Sequence, residues 1–385
     1  MAIGMRSTVL LWLAIAVVAS RDRFAFAVSE TDDPVAINPG PPTILLGDVW
    51  LSPQGDDSKA GTRESPLRSL QTAIDRVSAG RTVWLLPGEY VFTETVKIPK
   101  HKRGTAGEPF RISGLAGGPK PMLNFTGVDR SGEIRGLQVD GAFWHLHYLE
   151  VFGASDNNVN VAGSHNLLER LDVHDANDTG LQINSSSSLM PAHNRVLNCD
   201  SYLNADRSAE DADGFAAKLG IGPGNSFDGC RAWHNCDDNW DLYDARNVVK
   251  LKDCWALEAR HPDKSKSNSD GNGFKLGGLR SENSGWNKRS LFTSYADYVK
   301  ANSSPHQLDR CFAIGNPAWG FHRNNNPSTE VSCLDCGGWS NGRGDFSEGL
   351  AVGGERVSLT NVTPAAAIAA ERDARGYLPS IHDVR

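Results

Sequence analysis

One phrase recurs along this chain at intervals typical of the successive coils of a solenoid. It begins with a cysteine in five places, and an asparagine follows five residues later in four of them. The cysteines are Cys199, Cys230, Cys254, Cys311 and Cys336, and the asparagines are Asn204, Asn235, Asn316 and Asn341. With Leu149 and Leu171 as earlier copies, the intervals are 22, 28, 31, 24, 57 and 25 residues. No helical pattern lies inside this period, so it predicts stacked coils of short strands.

A second phrase, a glycine or asparagine followed by alternating apolar residues, predicts the register of those coils. Its copies begin at Gly180, Gly214, Asn239, Gly273, Gly320 and Gly349. In five of the six copies the next residue and the one two beyond it are apolar, and only Arg323 departs from the pattern. The apolar side chains should point into the core and the one between them outward. We therefore expect an all-β fold of parallel strands about 4.8 Å apart.

The cysteines are predicted to pack inside the coils. The chain has seven of them, and the five that begin the phrase should stack as buried thiols that behave as small apolar groups. A disulfide is the alternative for Cys230 with Cys236 or for Cys333 with Cys336.

The first 27 residues have the pattern of an export signal. Arg6 supplies a positive charge, residues 8–19 form a largely apolar run, and Ala25 and Ala27 flank a cleavage site of the small-x-small type. The apolar run is shorter than a membrane-spanning helix requires, although a retained anchor is the alternative. We expect a secreted protein, extracellular or periplasmic, that has no membrane association after cleavage.

The rest of the chain is predicted to form one solenoid domain at 28–362 and a helical tail or cap at 363–385. Apolar residues on one face predict a capping helix near 67–79 that covers the first coil. A long insertion is expected near 279–305. The formal net charge of -7 argues against a nucleic-acid binder with a basic surface, and we expect a monomer.

The predicted register brings four aspartates from two adjacent coils together. Asp213 falls opposite Asp238, Asp237 precedes it, and Asp241 points outward two residues after Asn239. Like charges this close raise one another's pKa unless a cation compensates them. Oxygen ligands in a flexible geometry favour Ca²⁺ over Mg²⁺. For any single aspartate, the alternative is a turn residue that hydrogen-bonds its own backbone.

Lys275 is predicted to lie in the outward column directly after Asp241, one coil along. Beside a divalent cation its pKa should be lowered, which makes it a candidate Brønsted base. The alternative is a solvated lysine, or one that pairs with a nearby aspartate.

Three blocks around these residues resemble the signature of family 9 polysaccharide lyases, the right-handed parallel β-helix pectate lyases. The blocks are DADGFAAKL from Asp211, GCRAWHNCDDNWDLYD from Gly229 and GNGFKLGG from Gly271. A looser likeness extends over roughly residues 45–355. The resemblance implies a right-handed parallel β-helix and an acidic, pectate-like polysaccharide as substrate. Carried over residue by residue, it implies Asp213, Asp237, Asp238 and Asp241 as calcium ligands and Lys275 as the catalytic base.

The expected reaction is β-elimination. Binding of the uronate C6 carboxylate to Ca²⁺ would stabilise the species formed when Lys275 removes the C5 proton, and the 4-linked sugar would then leave. Two other function classes stay open. A solenoid glycoside hydrolase would need an acid and a base carboxylate on either side of the bond, and a non-catalytic glycan-binding β-helix would need neither.

Three further residues are candidate substrate contacts. His322 shares the outward column with Lys275, and Lys218 is outward but expected to lie further from the aspartates. At Arg323 either the strand ends or the side chain has another role, such as binding a substrate carboxylate. The insertion near 279–305 is either a wall of the substrate groove or an ordinary surface excursion.

Overall fold

The computed structural model describes residues 42–186, 188–260, 270–278, 305–324, 330–348, 350–353, 357, 359 and 362–384. These residues belong to one compact unit that spans Pro41–Arg385. The predicted export signal at 1–27 and nearly all of the predicted insertion near 279–305 lie outside the described residues. Among the described residues, no helix is both long enough and apolar enough to cross a membrane.

The described strands form three parallel sheets of eleven, nine and nine strands. From Thr82–Leu85 onward, successive strands along the chain pass from sheet 1 to sheet 2 to sheet 3 and back to sheet 1, so each complete coil adds one strand to each sheet. Sheet 1 consists of Val49–Leu51, Thr82–Leu85, Phe110–Gly114, Trp144–His147, Leu167–Glu169, Arg195–Leu197, Asn225–Asp228, Val249–Lys252, His306–Asp309, Glu330–Leu334 and Ala351–Gly353.

The other two sheets repeat this arrangement on two further sides of the coils. Sheet 2 consists of Glu89–Val91, Met122–Asn124, Glu150–Phe152, Asp172–His174, Asp200–Tyr202, Arg231–Trp233, Trp255–Leu257, Phe312–Ile314 and Gly337–Trp339. Sheet 3 consists of Val96–Ile98, Leu137–Val139, Val159–Val161, Leu181–Asn184, Phe215–Lys218, Trp240–Asp241, Phe274–Lys275, Trp319–His322 and Gly344–Phe346. The molecule is therefore a parallel β-helix, as predicted.

The register of sheet 3 follows the second sequence phrase. Leu181 pairs with Phe215, which pairs with Trp240, and the column continues through Phe274 and Phe321. The aromatic rings stack in the core with centroids 4.8–5.0 Å apart. Burial of these large rings is favourable because it removes apolar surface from water.

The prediction that the sixth copy of that phrase, at Gly349, continues the column of sheet 3 was wrong. Ala351–Gly353 belongs to sheet 1, where it pairs with Glu330–Leu334. Sheet 3 continues instead with Gly344–Phe346, and the ring of Phe346 stacks on Phe321 at 4.8 Å. Here the position of the leading glycine is taken by Asp345, so the phrase that marked the other coils is missing.

The cysteine and asparagine columns lie at the two ends of the sheet 2 strands. Each of the five cysteines directly precedes a strand of sheet 2 and is buried. In the turn that follows these strands, Asn204 Nδ2 donates to Asn235 Oδ1 at 2.8 Å, and Asn316 Nδ2 donates to Asn341 Oδ1 at 2.9 Å. These amides supply hydrogen bonds inside a turn that is shielded from water.

Cys336 is the exception to the prediction of buried packing thiols. It forms a disulfide with Cys333, one of the two alternatives, whereas the other five cysteines are free and buried.

Helices lie at the two ends of the described chain. Leu70–Arg76 is shorter than the predicted 67–79 and buries Leu70, Ala73 and Ile74. The helix Pro364–Ala369 begins after Thr363, whose side chain accepts a hydrogen bond from the Ala366 amide. A 3₁₀ turn follows at Ile381–Asp383.

The C-terminal segment, predicted as a helical tail or cap, packs on the side of the solenoid. Its residues Val362, Ala367 and Ile381 join one apolar cluster with Trp255 and Leu257 of sheet 2. Outward apolar residues of sheet 2 need such a cover, which explains the position of the segment.

Candidate active site

The outward face of sheet 3 brings the predicted site residues into one register. Asp241 pairs with Lys275, and Lys275 pairs with His322. Asp213 and Asp238 each lie two residues before the first strand residue of their coil. Carboxylate oxygens of Asp213, Asp237 and Asp238 lie within 4.8 Å of one another. The structure thus brings Asp213 together with two carboxyl groups that follow it in sequence by 24 and 25 residues.

Close backbone packing in the turn before the strands holds these aspartates in place. The Gly214 amide donates to the Asp238 carbonyl at 3.0 Å, and the Asn239 amide donates to the Asn272 carbonyl at 3.1 Å. A Cβ atom on Gly214 would lie 2.7 Å from the Asn239 carbonyl oxygen. Glycine is therefore needed at this position because the neighbouring coil approaches so closely.

Each of the three clustered aspartates also accepts a backbone hydrogen bond. Asp213 Oδ1 accepts from the Asp238 amide at 3.3 Å. Asp237 Oδ1 accepts from the Asp270 amide, and Asp238 Oδ1 accepts from the Asn272 amide, both at 2.7 Å. These bonds orient the carboxyl groups toward a common space.

Burial and mutual repulsion make these carboxyl groups hard to ionise. Burial raises the pKa of Asp213 to about 6, with repulsion from Asp241 adding to it and Lys218 opposing it. Burial and the neighbouring Asp238 and Asp213 raise the pKa of Asp237 to about 10. Burial raises the pKa of Asp238 to about 7, although the Lys275 ammonium opposes the change. A positive charge among these groups would be strongly stabilised.

Lys275 lies among the carboxyl groups. Its Nζ is 3.1 Å from Asp238 Oδ2, 3.0 Å from Asp270 Oδ2 and 3.9 Å from Asp237 Oδ2. Burial disfavours its ammonium form, but the carboxylates of Asp241, Asp238 and Asp237 outweigh burial and raise its pKa. The direction is opposite to the one predicted beside a cation, because carboxylates by themselves favour an ammonium.

Lys218 is closer to the aspartates than expected. Its Nζ donates to Asp213 Oδ2 at 2.7 Å and to Asp241 Oδ2 at 3.0 Å. Burial opposes ionisation of Asp241, but the ammonium groups of Lys275 and Lys218 hold its pKa below the usual value. The expectation that Lys218 lies further from the cluster was wrong, since its long side chain reaches back over the strand.

The donor set suits a hard divalent cation. Asp213, Asp237 and Asp238 offer only oxygen atoms, which Ca²⁺ prefers. Asp238 Oδ2 is buried and accepts no hydrogen bond from a described residue, and its near charged neighbour is Lys275 Nζ at 3.1 Å. A buried carboxylate oxygen that has only an ion pair and no hydrogen bond fits the position of a metal ligand. Asp241 is outside this three-residue group and instead pairs with Lys218.

His322 and Arg323 lie at the next coil. The strand Trp319–His322 ends before Arg323, so the break in apolar alternation at Arg323 marks the end of a strand. The half-buried His322 ring lies near Trp319 with centroids 6.2 Å apart, and burial lowers its pKa. His322 Nδ1 has no hydrogen-bond partner among the described residues. Asn325 and Asn326 lie outside the described residues.

Two acidic residues of the site were missed from the sequence. Asp270 pairs with Lys275 through Oδ2 at 3.0 Å, but it lies one residue before the GNGFKLGG block, which begins at Gly271. Asp178 has a pKa raised to about 7 by burial, against the attraction of Lys218. Asp178 lies two residues before Gly180, just as Asp237 lies two residues before Asn239. The predicted register therefore already contained a signal for Asp178.

Comparison with protein families gives one match that spans most of the chain. Residues 49–355 match the model described as "Pel9A-like, right handed beta helix region". This description agrees with the predicted right-handed parallel β-helix.

Curated relatives cover similar parts of the chain. "Pectate lyase L" from Paenibacillus polymyxa (strain SC2) is 37% identical over 352 residues, which are 88% of this chain and 71% of that protein. "Pectate lyase PEL9" from Emericella nidulans is 32% identical over 342 residues, which are 81% of this chain and 77% of that protein.

Solved structures agree with the fold. The crystal structure of pectate lyase Pel9A superimposes with a TM-score of 0.67 at 27% identity and covers 88% of this chain and 90% of its own. A rhamnogalacturonan lyase superimposes with a TM-score of 0.69 at 21% identity, over 88% of this chain and 96% of its own. The second likeness concerns the fold alone.

Proposed function

This chain belongs to the Pel9A-like right-handed β-helix family and is a polysaccharide lyase, and we propose that it is a secreted, calcium-dependent pectate lyase. In this proposal Lys275 is the base of a β-elimination in polygalacturonate or a related polyuronate. The observation that carries the proposal is the convergence of Asp213, Asp237 and Asp238 within 4.8 Å, with Lys275 Nζ 3.1 Å from Asp238. The relatives named above are pectate lyases, which supports the choice of substrate.

Asp213, Asp237 and Asp238 would hold the cation. Asp241 would join them if the Lys218 ammonium, which now lies 3.0 Å from it, gave way. When bound, Ca²⁺ would polarise the C6 carboxylate of a uronate and so increase the acidity of the hydrogen at C5.

Lys275 would take the proton from C5. Once their negative charge is compensated, the carboxylates no longer favour the ammonium form, and the pKa of Lys275 falls toward the working pH. The neutral amine accepts the C5 proton, and the electron pair of that bond forms the double bond between C4 and C5. The C4–O bond breaks and its electron pair stays on the oxygen of the leaving sugar, which then acquires a proton. The products are an unsaturated uronide and a shortened chain.

The test is the ultraviolet absorbance of the conjugated double bond during incubation with polygalacturonate and calcium chloride. We expect the absorbance to rise, to stop rising when a chelator is added, and to rise again after excess calcium is supplied. A neutral glucan serves as the control substrate and should give no change. New reducing ends without the absorbance would instead identify a hydrolase, and binding without any cleavage would identify a non-catalytic glycan-binding protein.

A further inference from the structure

A row of amide side chains continues the outward column of Lys275 along sheet 3. Gln138 pairs with Asn160, and Asn160 pairs with Gln182. We call these three residues the amide column. From Gln182 the same outward positions lead through Ala216 and Asp241 to Lys275. The amide column therefore lies on the same face as the carboxylates.

Two members of the amide column have buried oxygen atoms without a partner. Asn160 is fully buried and Gln182 is 5% exposed. Asn160 Nδ2 donates to Gln138 Oε1 at 3.0 Å, but Asn160 Oδ1 and Gln182 Oε1 accept no hydrogen bond from any described residue. A buried acceptor without a donor is costly, so a bound ligand with hydrogen-bond donors would stabilise this arrangement.

The turn before these strands has the same property. Asn157 is fully buried and its Nδ2 donates to the Thr179 carbonyl at 3.4 Å, while its Oδ1 has no partner in the described chain. Asn157 directly precedes Asn158, which begins the coil of Asn160. Three orphaned amide oxygens thus occur on two adjacent coils.

The charges next to the amide column are largely compensated. Arg135 Nε pairs with Asp156 Oδ2 at 3.0 Å, and Arg135 Nη1 donates to Gln138 Oε1 at 2.9 Å. Asp178 interacts with Asp156 on one side and with Lys218 on the other. Because the orphaned atoms are neutral amide oxygens, they suit hydroxyl donors better than they suit a cation.

We propose that the amide column binds hydroxyl groups of the polysaccharide, on sugars several units away from the bond that breaks. This inference rests on the proposed function, which puts the reacting sugar beside Lys275. Gln182 lies three strands from Lys275 and Gln138 lies five, or about 14 Å and about 24 Å at the usual strand spacing. A chain laid along sheet 3 therefore reaches the amide column only when it is several sugars long.

The experiment measures binding without turnover. In the Lys275→Ala background with calcium present, isothermal titration calorimetry would give the affinity for oligogalacturonides of increasing length. Gln182→Met keeps the length of the side chain and removes its polar atoms, and Asn160→Ala tests the neighbouring coil. We expect each change to weaken binding of long oligomers about 3- to 10-fold and to leave the shortest binding oligomers unaffected.

Gln307→Ala is the matched control, because Gln307 is an exposed glutamine on the outward side of sheet 1. It should not alter binding of any oligomer, and thermal unfolding should show that all variants are folded. Equal weakening of short and long oligomers, or no weakening at all, would overturn the inference while the proposed function stood. Loss of a bound calcium ion from the Asn160 and Gln182 variants in equilibrium dialysis would overturn it in favour of a cation site. If no oligogalacturonide bound and wild type did not cleave pectate, the proposed function would fail as well.

Discussion

The amide column and the carboxylate cluster lie on the same face of one sheet but differ in the charge that they bury. We use carboxylate cluster for Asp213, Asp237, Asp238 and Asp241 with the two lysines that contact them, Lys218 and Lys275. The core residue just before each member of the amide column is aliphatic, whereas the core residue just before each outward position in the coils of the cluster is aromatic. They are Leu137, Val159 and Leu181 in the first case and Phe215, Trp240 and Phe274 in the second.

The β-helix backbone determines the position of each outward side chain, and the residue type at that position determines which ligand it can bind. The hydrogen-bonded register continues without a break from Gln182 through Ala216 to Asp241. Neutral amides can be buried at the cost of a missing hydrogen bond, but buried like charges must be compensated by ammonium groups or by a cation. The cluster should therefore respond to calcium and pH, and the amide column should not.

The largest expected effect is the loss of turnover in Lys275→Ala. A positioned general base contributes about 10²- to 10⁴-fold, so kcat should fall by that factor in the absorbance assay. Calcium binding should persist because the aspartates remain, and with calcium bound to compensate them the unfolding temperature should stay close to that of the wild type. Lys250→Ala, which removes an exposed lysine on sheet 1, is the control and should keep full activity. Turnover of Lys275→Ala at the wild-type rate would remove this lysine from the mechanism.

A second large effect is expected in Lys218→Met, measured as stability. Lys218 holds Asp213 and Asp241 at 2.7 Å and 3.0 Å, and removal of one partner from a buried ion pair costs about 3–5 kcal/mol. Urea unfolding in chelator should show a loss of this order, and calcium should recover most of it by compensating the same carboxylates.

Lys252→Met, at an exposed lysine of sheet 1, provides the comparison for Lys218→Met and should change stability little with or without calcium. A Lys218→Met protein as stable in chelator as the wild type would show that its ion pairs contribute nothing net. A deficit that calcium leaves unchanged would show that the lost contacts are unrelated to a cation site.

The third prediction concerns the pH dependence of stability in chelator. The pKa of Asp213 is raised to about 6 and that of Asp238 to about 7, mainly by burial, whereas an unfolded aspartate titrates near 3.9. A raised carboxyl pKa stabilises the fold fully below about pH 3.9, and this contribution is lost as the pH rises through the folded values. The free energy of unfolding should therefore decrease from about pH 4 to pH 7, and Asp237, whose pKa is raised to about 10, extends the decrease above pH 7.

Calcium should reverse this loss by about 2.7 kcal/mol when its concentration is 100 times its dissociation constant. Asp238→Asn should flatten the pH dependence and weaken the response to calcium, while the same measurements on Gln182→Met should match the wild type. A stability that rose with pH in chelator would contradict the assignment of buried, mutually repelling carboxyl groups.

Much of this arrangement could be predicted because the chain repeats itself. The leading glycine or asparagine with apolar alternation gave the register of Asp213, Asp238 and Lys275. The same phrase occurs at Gly136 and Asn158, so the coils of Gln138 and Asn160 could have been aligned from the sequence as well. The coil of Phe346 could not, because Asp345 replaces the leading glycine.

Side-chain reach was harder to predict than register. Lys218 contacts Asp213 and Asp241 through a long flexible side chain whose direction depends on the surrounding charges. Asp270 approaches Lys275 from a turn outside the strand, and turns are not constrained by the alternation. The C-terminal helix ends at Ala369, short of the segment predicted at 363–385, where the Arg231 guanidinium donates to the carbonyls of Ala367, Ile368 and Ala370.

The smallest effect is expected when a charge is placed in the amide column, which tests directly whether its neutrality distinguishes it from the carboxylate cluster. Gln182→Glu should raise KM for long polyuronates about 2- to 5-fold at low salt, because a carboxylate there repels a negatively charged chain. Added salt should reduce the difference, since the Debye length falls to about 8 Å at physiological ionic strength. Because Gln182 lies about 14 Å from Lys275, kcat should not change.

Gln307→Glu on sheet 1 adds the same charge away from the proposed substrate path and should leave KM unchanged. A fall in KM for Gln182→Glu that required more calcium would have a different meaning, namely that a carboxylate at this position recruits a cation to bridge the protein and the substrate. In that case the amide column and the carboxylate cluster would differ only in whether their outward oxygen atoms are amide or carboxylate oxygens. Cation binding would then be confined to the coils of Asp213 and Asp238 because the amide column is neutral.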